Sequence, residues 1–114
     1  MSHEKFKNCI DACYECASEC DHCATACLQE EDVKAMAKCI QLNRYCADIC
    51  RMAASFMARA DSYIGENYSR QLCGLCATIC EECGAECDSH QSEHCKNCAE
   101  ACKRCAGECR KMAA

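Results

Sequence analysis

Apolar positions in this chain recur in steps of three and four, with charged residues between them. In the first third they are Cys9, Cys13, Cys16, Cys20, Cys23 and Cys27. Two later sets read Cys73, Cys76, Cys80, Cys83, Cys87 and Cys95, Cys98, Cys102, Cys105, Cys109. Between them the same rhythm passes through Met36, Cys39, Asn43, Cys46, Cys50, Ala53 and Met57. Alternating three and four is the a/d rhythm of a heptad and lines one narrow stripe of a helix. Four stripes predict four helices, at roughly 4–28, 32–59, 62–87 and 91–111. The breaks carry capping chemistry: Asp32 in "LQEEDVK", Asp61 or Ser62 in "ARADSYIGENY", and Asp88, Ser89 and Ser92 in "CDSHQSEHC". Proline is absent and β-branched residues are scarce, which disfavours strands. The links are short, so neighbours run antiparallel. The expectation is an all-α, up-down-up-down four-helix bundle forming one domain over residues 1–114.

Composition changes what that bundle can be made of. Nineteen of 114 residues are cysteine, while Leu, Ile, Val and Phe together number twelve. Twelve large aliphatic and aromatic side chains cannot fill four helices, so the thiols either form the core or hold something that does. The net charge is −5, with both signs interleaved in stretches such as "ACKRCAGECRK". A nucleic-acid groove needs a one-sided basic patch, so no nucleic-acid partner is expected. No apolar run approaches the length of a membrane span. The segment "MSHEKFKNC" has no apolar signal region, which makes the cytoplasm the expected compartment, where disulfides rarely persist.

Six C-x-x-C motifs, "CYEC", "CDHC", "CGLC", "CEEC", "CKNC" and "CKRC", occur in phase. A redox motif of that form draws its reactivity from a helix N-terminus beside a strand–helix–strand unit, whereas these fall mid-helix. Cysteines three or four apart on one helix are also poorly placed for ordered disulfides. The iron–sulfur run C-x-x-C-x-x-C-x-x-x-C-P is absent. Zinc favours discrete sites of four ligands, while this stripe is continuous. Cu(I) is soft, prefers thiolate and accepts shared sulfurs, so a column could hold roughly one ion per cysteine, about nineteen. A general zinc reservoir and, from another class, a thiol oxidoreductase remain open as alternatives.

The chain resembles the cytosolic copper storage proteins. The resemblance rests on the in-phase cysteines of all four helices, on "CIQLNRYCADIC", on "CGLCATICEECGAEC" and on the turn "SHQSEHC". It implies a non-enzymatic homotetramer that stores many Cu(I) ions. Asn43 departs from the pattern, standing where a cysteine is expected.

Antiparallel packing sorts the ends of the seam. Phe6, Met57, Cys73, Cys109 and Met112 collect at one end as an apolar plug, with Tyr63 or Ile64 assisting. Cys27, Met36, Cys87, His90, His94 and Cys95 collect at the other, the expected mouth for copper. The candidate ligands are therefore all nineteen cysteines, with Asn43, His90, His94 and Met36 as further candidates. For these four the alternatives are loop solvation (His90, His94), packing (Met36) and a register-setting hydrogen bond (Asn43). His3 and His22 fall off the seam, as surface residues. A second stripe, Leu42, Tyr45, Ile49, Met52 and Phe56, lies beside the thiol seam of the second helix. Its expected use is an interface between copies of the chain, and its alternative is flank packing within the bundle.

Overall fold

The computed structural model describes residues 2–114, with the side chains of Ser2 and His3 left aside. The first predicted helix divides at Phe6 into a short α1 (Ser2–Lys5) and a long α2 (Lys7–Cys27). The second begins with a 3₁₀ turn, Val33–Met36, and continues as α3 (Ala37–Ala58). The remaining two are α4 (Tyr63–Asp88) and α5 (Glu93–Ala113). Two of the expected caps form. Asp32 accepts a hydrogen bond from the Ala35 amide at 3.2 Å, and Ser62 accepts one from the Gly65 amide at 3.1 Å. Ser92 occupies the N-cap of α5, but its side chain makes no capping bond.

α2 packs on α3 and α5, and α4 packs on α3 and α5, giving a four-cornered bundle 49 × 19 × 17 Å. Each adjacent pair shares a surface ion pair. Arg51 meets Asp21, Arg104 meets Glu15, Lys38 lies 3.9 Å from Glu86, and Arg110 lies 2.6 Å from Glu81. Exposed pairs of this kind add little stability, but they match each helix to its neighbour.

Every cysteine is buried. The residue following a seam position is repeatedly small and buried as well: Ala17, Ala47, Ala54, Ala77, Gly84, Ala99 and Ala106. These small residues recur at heptad spacing beside the thiols and let the helices approach closely. Gly84 shows how closely, since a Cβ there would meet the Cys102 Cβ at 3.2 Å and the Ala99 carbonyl oxygen at 3.6 Å. Opposite thiols are thereby brought into contact across the axis, which leucine at the same positions would prevent.

The plug is smaller than expected. Phe6 and Met57 are buried and Met112 packs partly against the core, but Tyr63 and Ile64 are 86% and 60% exposed. They occupy the first turn of α4, ahead of the seam, and point away from it. The second stripe of α3 also divides. Leu42 and Ile49 pack partly against the bundle's own core, while Tyr45 and Met52 face outward.

Candidate metal centre

Four helices each bring a row of thiols to the axis, and the rows interlock. Cys16 Sγ lies 3.7 Å from Cys46, 3.8 Å from Cys102 and 4.0 Å from Cys20. Cys50 Sγ lies 3.6 Å from Cys76, 3.7 Å from Cys80 and 3.8 Å from Cys105. Farther along, Cys105 donates to Cys13 at 3.6 Å, and Cys109 lies 3.7 Å from Cys9. Two metal–sulfur bonds of about 2.3 Å each, the usual metal–thiolate length, span such separations at an angle of about 100–120°. The thiols are thus already spaced for metal ions without movement of the backbone.

Among the described residues, groups of four thiols have all sulfurs within 4.8 Å of one another, and the groups overlap. Cys16, Cys20, Cys46 and Cys102 form one group, Cys16, Cys46, Cys50 and Cys80 a second, and Cys20, Cys83, Cys98 and Cys102 a third. Cys16, Cys20, Cys46 and Cys102 each belong to two of these. Ions filling neighbouring groups would have to share sulfurs, which bridging thiolates do and closed four-ligand zinc sites do not.

Asn43 lies buried in the seam, and thiols occupy both ends of its amide. Its Oδ1 accepts from Cys83, Cys98 and Cys87 at 3.2, 3.3 and 3.5 Å, and its Nδ2 donates to Cys39 at 3.6 Å. It therefore joins the thiols near one end, Cys39 and Cys87, to the inner column. Met36 is buried in the same core. Ser69, one turn before Cys73 on the α4 stripe, is buried with its hydroxyl unpartnered.

The end formed by the α2–α3 and α4–α5 turns carries the histidines. His94 Nδ1 lies 3.4 Å from Cys23 Sγ and 3.6 Å from Cys95 Sγ. Its Nε2 lies 2.7 Å from the Glu30 carboxylate, which also accepts from Ser92 Oγ at 2.6 Å. Ser92, which makes no side-chain capping bond, turns its hydroxyl to Glu30. The ring orientation is thus fixed from the surface side, as carboxylates commonly fix metal-binding imidazoles. His90, in the α4–α5 turn, points elsewhere, its Nε2 2.9 Å from Glu86 in the last turn of α4. The sequence reading missed Glu30, because it precedes Ser92 and His94 by more than sixty residues and no spacing rule links them. His22 is exposed, and His3 falls outside the described side chains.

These contacts set protonation. Hydrogen bonds from Cys39 and Cys87, with a further one from His94, lower the Cys23 thiol to about 5. Burial raises Cys27 to about 11, with the Cys23 charge adding to it. Burial also raises Cys95, again aided by Cys23. Burial disfavours the His94 cation, but hydrogen bonds to Cys23 and Glu30 outweigh it and raise the imidazole above its ordinary value. The Ser92 hydrogen bond and then His94 hold Glu30 below the ordinary carboxylate value. The mouth therefore offers one ionised thiol among protonated ones, next to an imidazole.

A four-helix bundle with a continuous, buried thiol column belongs to the class of multi-ion thiolate metal binders. A family model described as copper storage protein matches residues 2–114, and the chain belongs to that family. It is similar to the Cu(I)-bound copper storage protein BsCsp3 of Bacillus subtilis, at 45% identity with 100% of both chains covered and a TM-score of 0.85. It is likewise similar to a cytosolic copper storage protein from Streptomyces lividans, seen with five coppers, at 39% identity over 98% of this chain and 94% of that one, with a TM-score of 0.92. The uncharacterized cysteine-rich protein YhjQ of Bacillus subtilis is 47% identical over 71 residues, or 62% of this chain. That match spans 61% of the relative's length.

Proposed function

We propose that this protein stores and buffers Cu(I) in the cytosol, with the nineteen thiolates as its ligands and His94 at the point of admission. The overlap of the four-thiol groups carries the reading, because it requires shared sulfurs. Each Cu(I) replaces one thiol proton, so a filled core stays near neutral and avoids the large cost of buried net charge. Burial supports storage rather than catalysis. The cysteines are at most 1% exposed, and a disulfide substrate cannot reach a sulfur it cannot touch. The relatives named above support copper as the cargo and the cytosol as the compartment. No described helix is long and apolar enough to cross a membrane.

The test is competition. Reduced protein is challenged with a Cu(I)-selective and, separately, a Zn(II)-selective chelator. Retention of Cu(I) with ready loss of zinc is expected; the reverse order would favour a zinc reservoir. Sustained dithiol-dependent disulfide reduction would favour an oxidoreductase.

The protein also associates with its own copies through the outward part of the α3 stripe, where Tyr45 is 60% and Met52 49% exposed, aided by exposed Leu75 on α4. Tyr45→Glu with Met52→Glu should split the assembly in light scattering without lowering copper capacity. A monomeric unmodified protein would refute this.

A further inference from the structure

We propose that Met57 is a Cu(I) ligand, its thioether closing the column together with the Cys73 thiolate at the end remote from the histidines. The proposal rests on the Cu(I) storage reading and adds to it a site that uses no third-row thiol. Met57 sits in the α3 row where the thiols give out, after Ala53, and it is 0% exposed. Its sulfur, not only its hydrocarbon, faces the column, for Cys73 Sγ donates to Met57 Sδ at 3.6 Å. A leucine of similar volume would fill the space but could accept no such bond.

The contact converts directly into coordination. Cu(I) takes the place of the Cys73 thiol proton, which leaves to solvent, and the thioether lone pair that accepted the S–H donates to the metal instead. Thiolate and Cu(I) cancel in charge, and the neutral thioether adds none, so the dry end of the bundle gains no net charge. Nothing is oxidised or reduced. Bonds of about 2.3 Å place two sulfurs 3.6 Å apart at an angle of about 100°, open enough for a third sulfur. Cys9 and Cys109, 3.7 Å from each other, are the next thiols of α2 and α5 at this end of the column. Thioether and thiolate are both soft ligands suited to Cu(I), and zinc has little use for the former. Burial matters, since a thioether is a weak ligand that exposed water and small thiols would displace.

Selenium-edge X-ray absorption on the Cu(I)-loaded, selenomethionine-labelled protein tests this. Copper backscattering from selenium is expected in Met36→Leu and lost when Met57→Leu is added to it. Full loading with copper–sulfur scattering at the copper edge but no selenium–copper signal in Met36→Leu would overturn this site alone. So would a signal that survives in the double variant. A chain that binds no Cu(I) would overturn the storage reading and this site with it. The Met36→Leu protein is itself decisive if the double variant fails to fold.

Discussion

The two ends of the column are built from opposite materials. At the mouth, Cys23 and Cys95 touch an imidazole whose far nitrogen is held by Glu30, and Glu30 reaches Ser92 on the next turn. The route from solvent to sulfur is polar throughout. At the remote end, Cys73 meets a thioether and Cys9 meets Cys109, under a buried Phe6. That end is closed by sulfur and hydrocarbon, with the buried Ser69 hydroxyl one turn beyond Cys73. A bundle with two polar ends would open the column from both; one with two apolar ends would lack the imidazole and carboxylate that flank Cys23. On the proposed function, the difference assigns capacity to the column, admission to the polar end and closure to the other.

The largest effect should come from truncating the closed end. Met57→Ala empties a fully buried site, which costs about 2–5 kcal/mol. His94 stands at the rim of the bundle, its side chain 16% exposed, and His94→Ala removes its hydrogen bonds at a cost of about 1 kcal/mol. Urea unfolding of both apo variants would measure the contrast, and equal losses would erase it.

Kinetics should reverse the ranking. His94→Ala should slow Cu(I) uptake from a chelating donor by about tenfold, because Nδ1 is the group beside Cys23. His90→Ala should change the rate far less, since His90 faces Glu86. Stopped-flow uptake would separate the two, and both variants should fill to nearly full capacity. An effect of His90 as large as that of His94 would shift the mouth to the α4 side.

The smallest effect is electrostatic. The raised pKa of His94 means that its contact with Glu30 stabilises the apo fold fully below the ordinary imidazole value and ceases to do so as pH rises through the raised one. Glu30, lowered, contributes above the ordinary carboxylate value and loses that contribution as pH falls through the lowered one. The pair therefore contributes fully between the ordinary carboxylate and ordinary imidazole values and fades on either side towards the two folded-state values. Glu30→Gln should lower the His94 pKa in an NMR titration of the apo protein. An unchanged value would show that Glu30 does not hold the ring.

Heptad spacing alone made the bundle legible, because it depends on local periodicity. Asp32 and Ser62 cap as their chemistry predicts. The division of the first helix at Phe6 carried no such signal, since no proline or glycine marks it. The thiol seam was legible, but the role of the small residues beside it, Ala77 and Gly84 among them, depends on the neighbouring helix, although their heptad spacing is present in the sequence. Tyr63 and Ile64 misled because apolar character near a seam end does not say which way a first turn faces. Ile49 was half-buried against its own bundle where an interface was expected, since one helix's stripe cannot reveal the width of its neighbours. Glu30 was invisible because its partners lie across the bundle, a relation of tertiary packing.

Counting Cu(I) per reduced chain tests the account most directly. Stepwise addition of Cu(I), followed by chelator competition and elemental analysis of the purified complex, should approach one ion per cysteine, roughly nineteen. A plateau near four or five ions, the number that separate four-sulfur sites would allow, would contradict the shared-thiolate column.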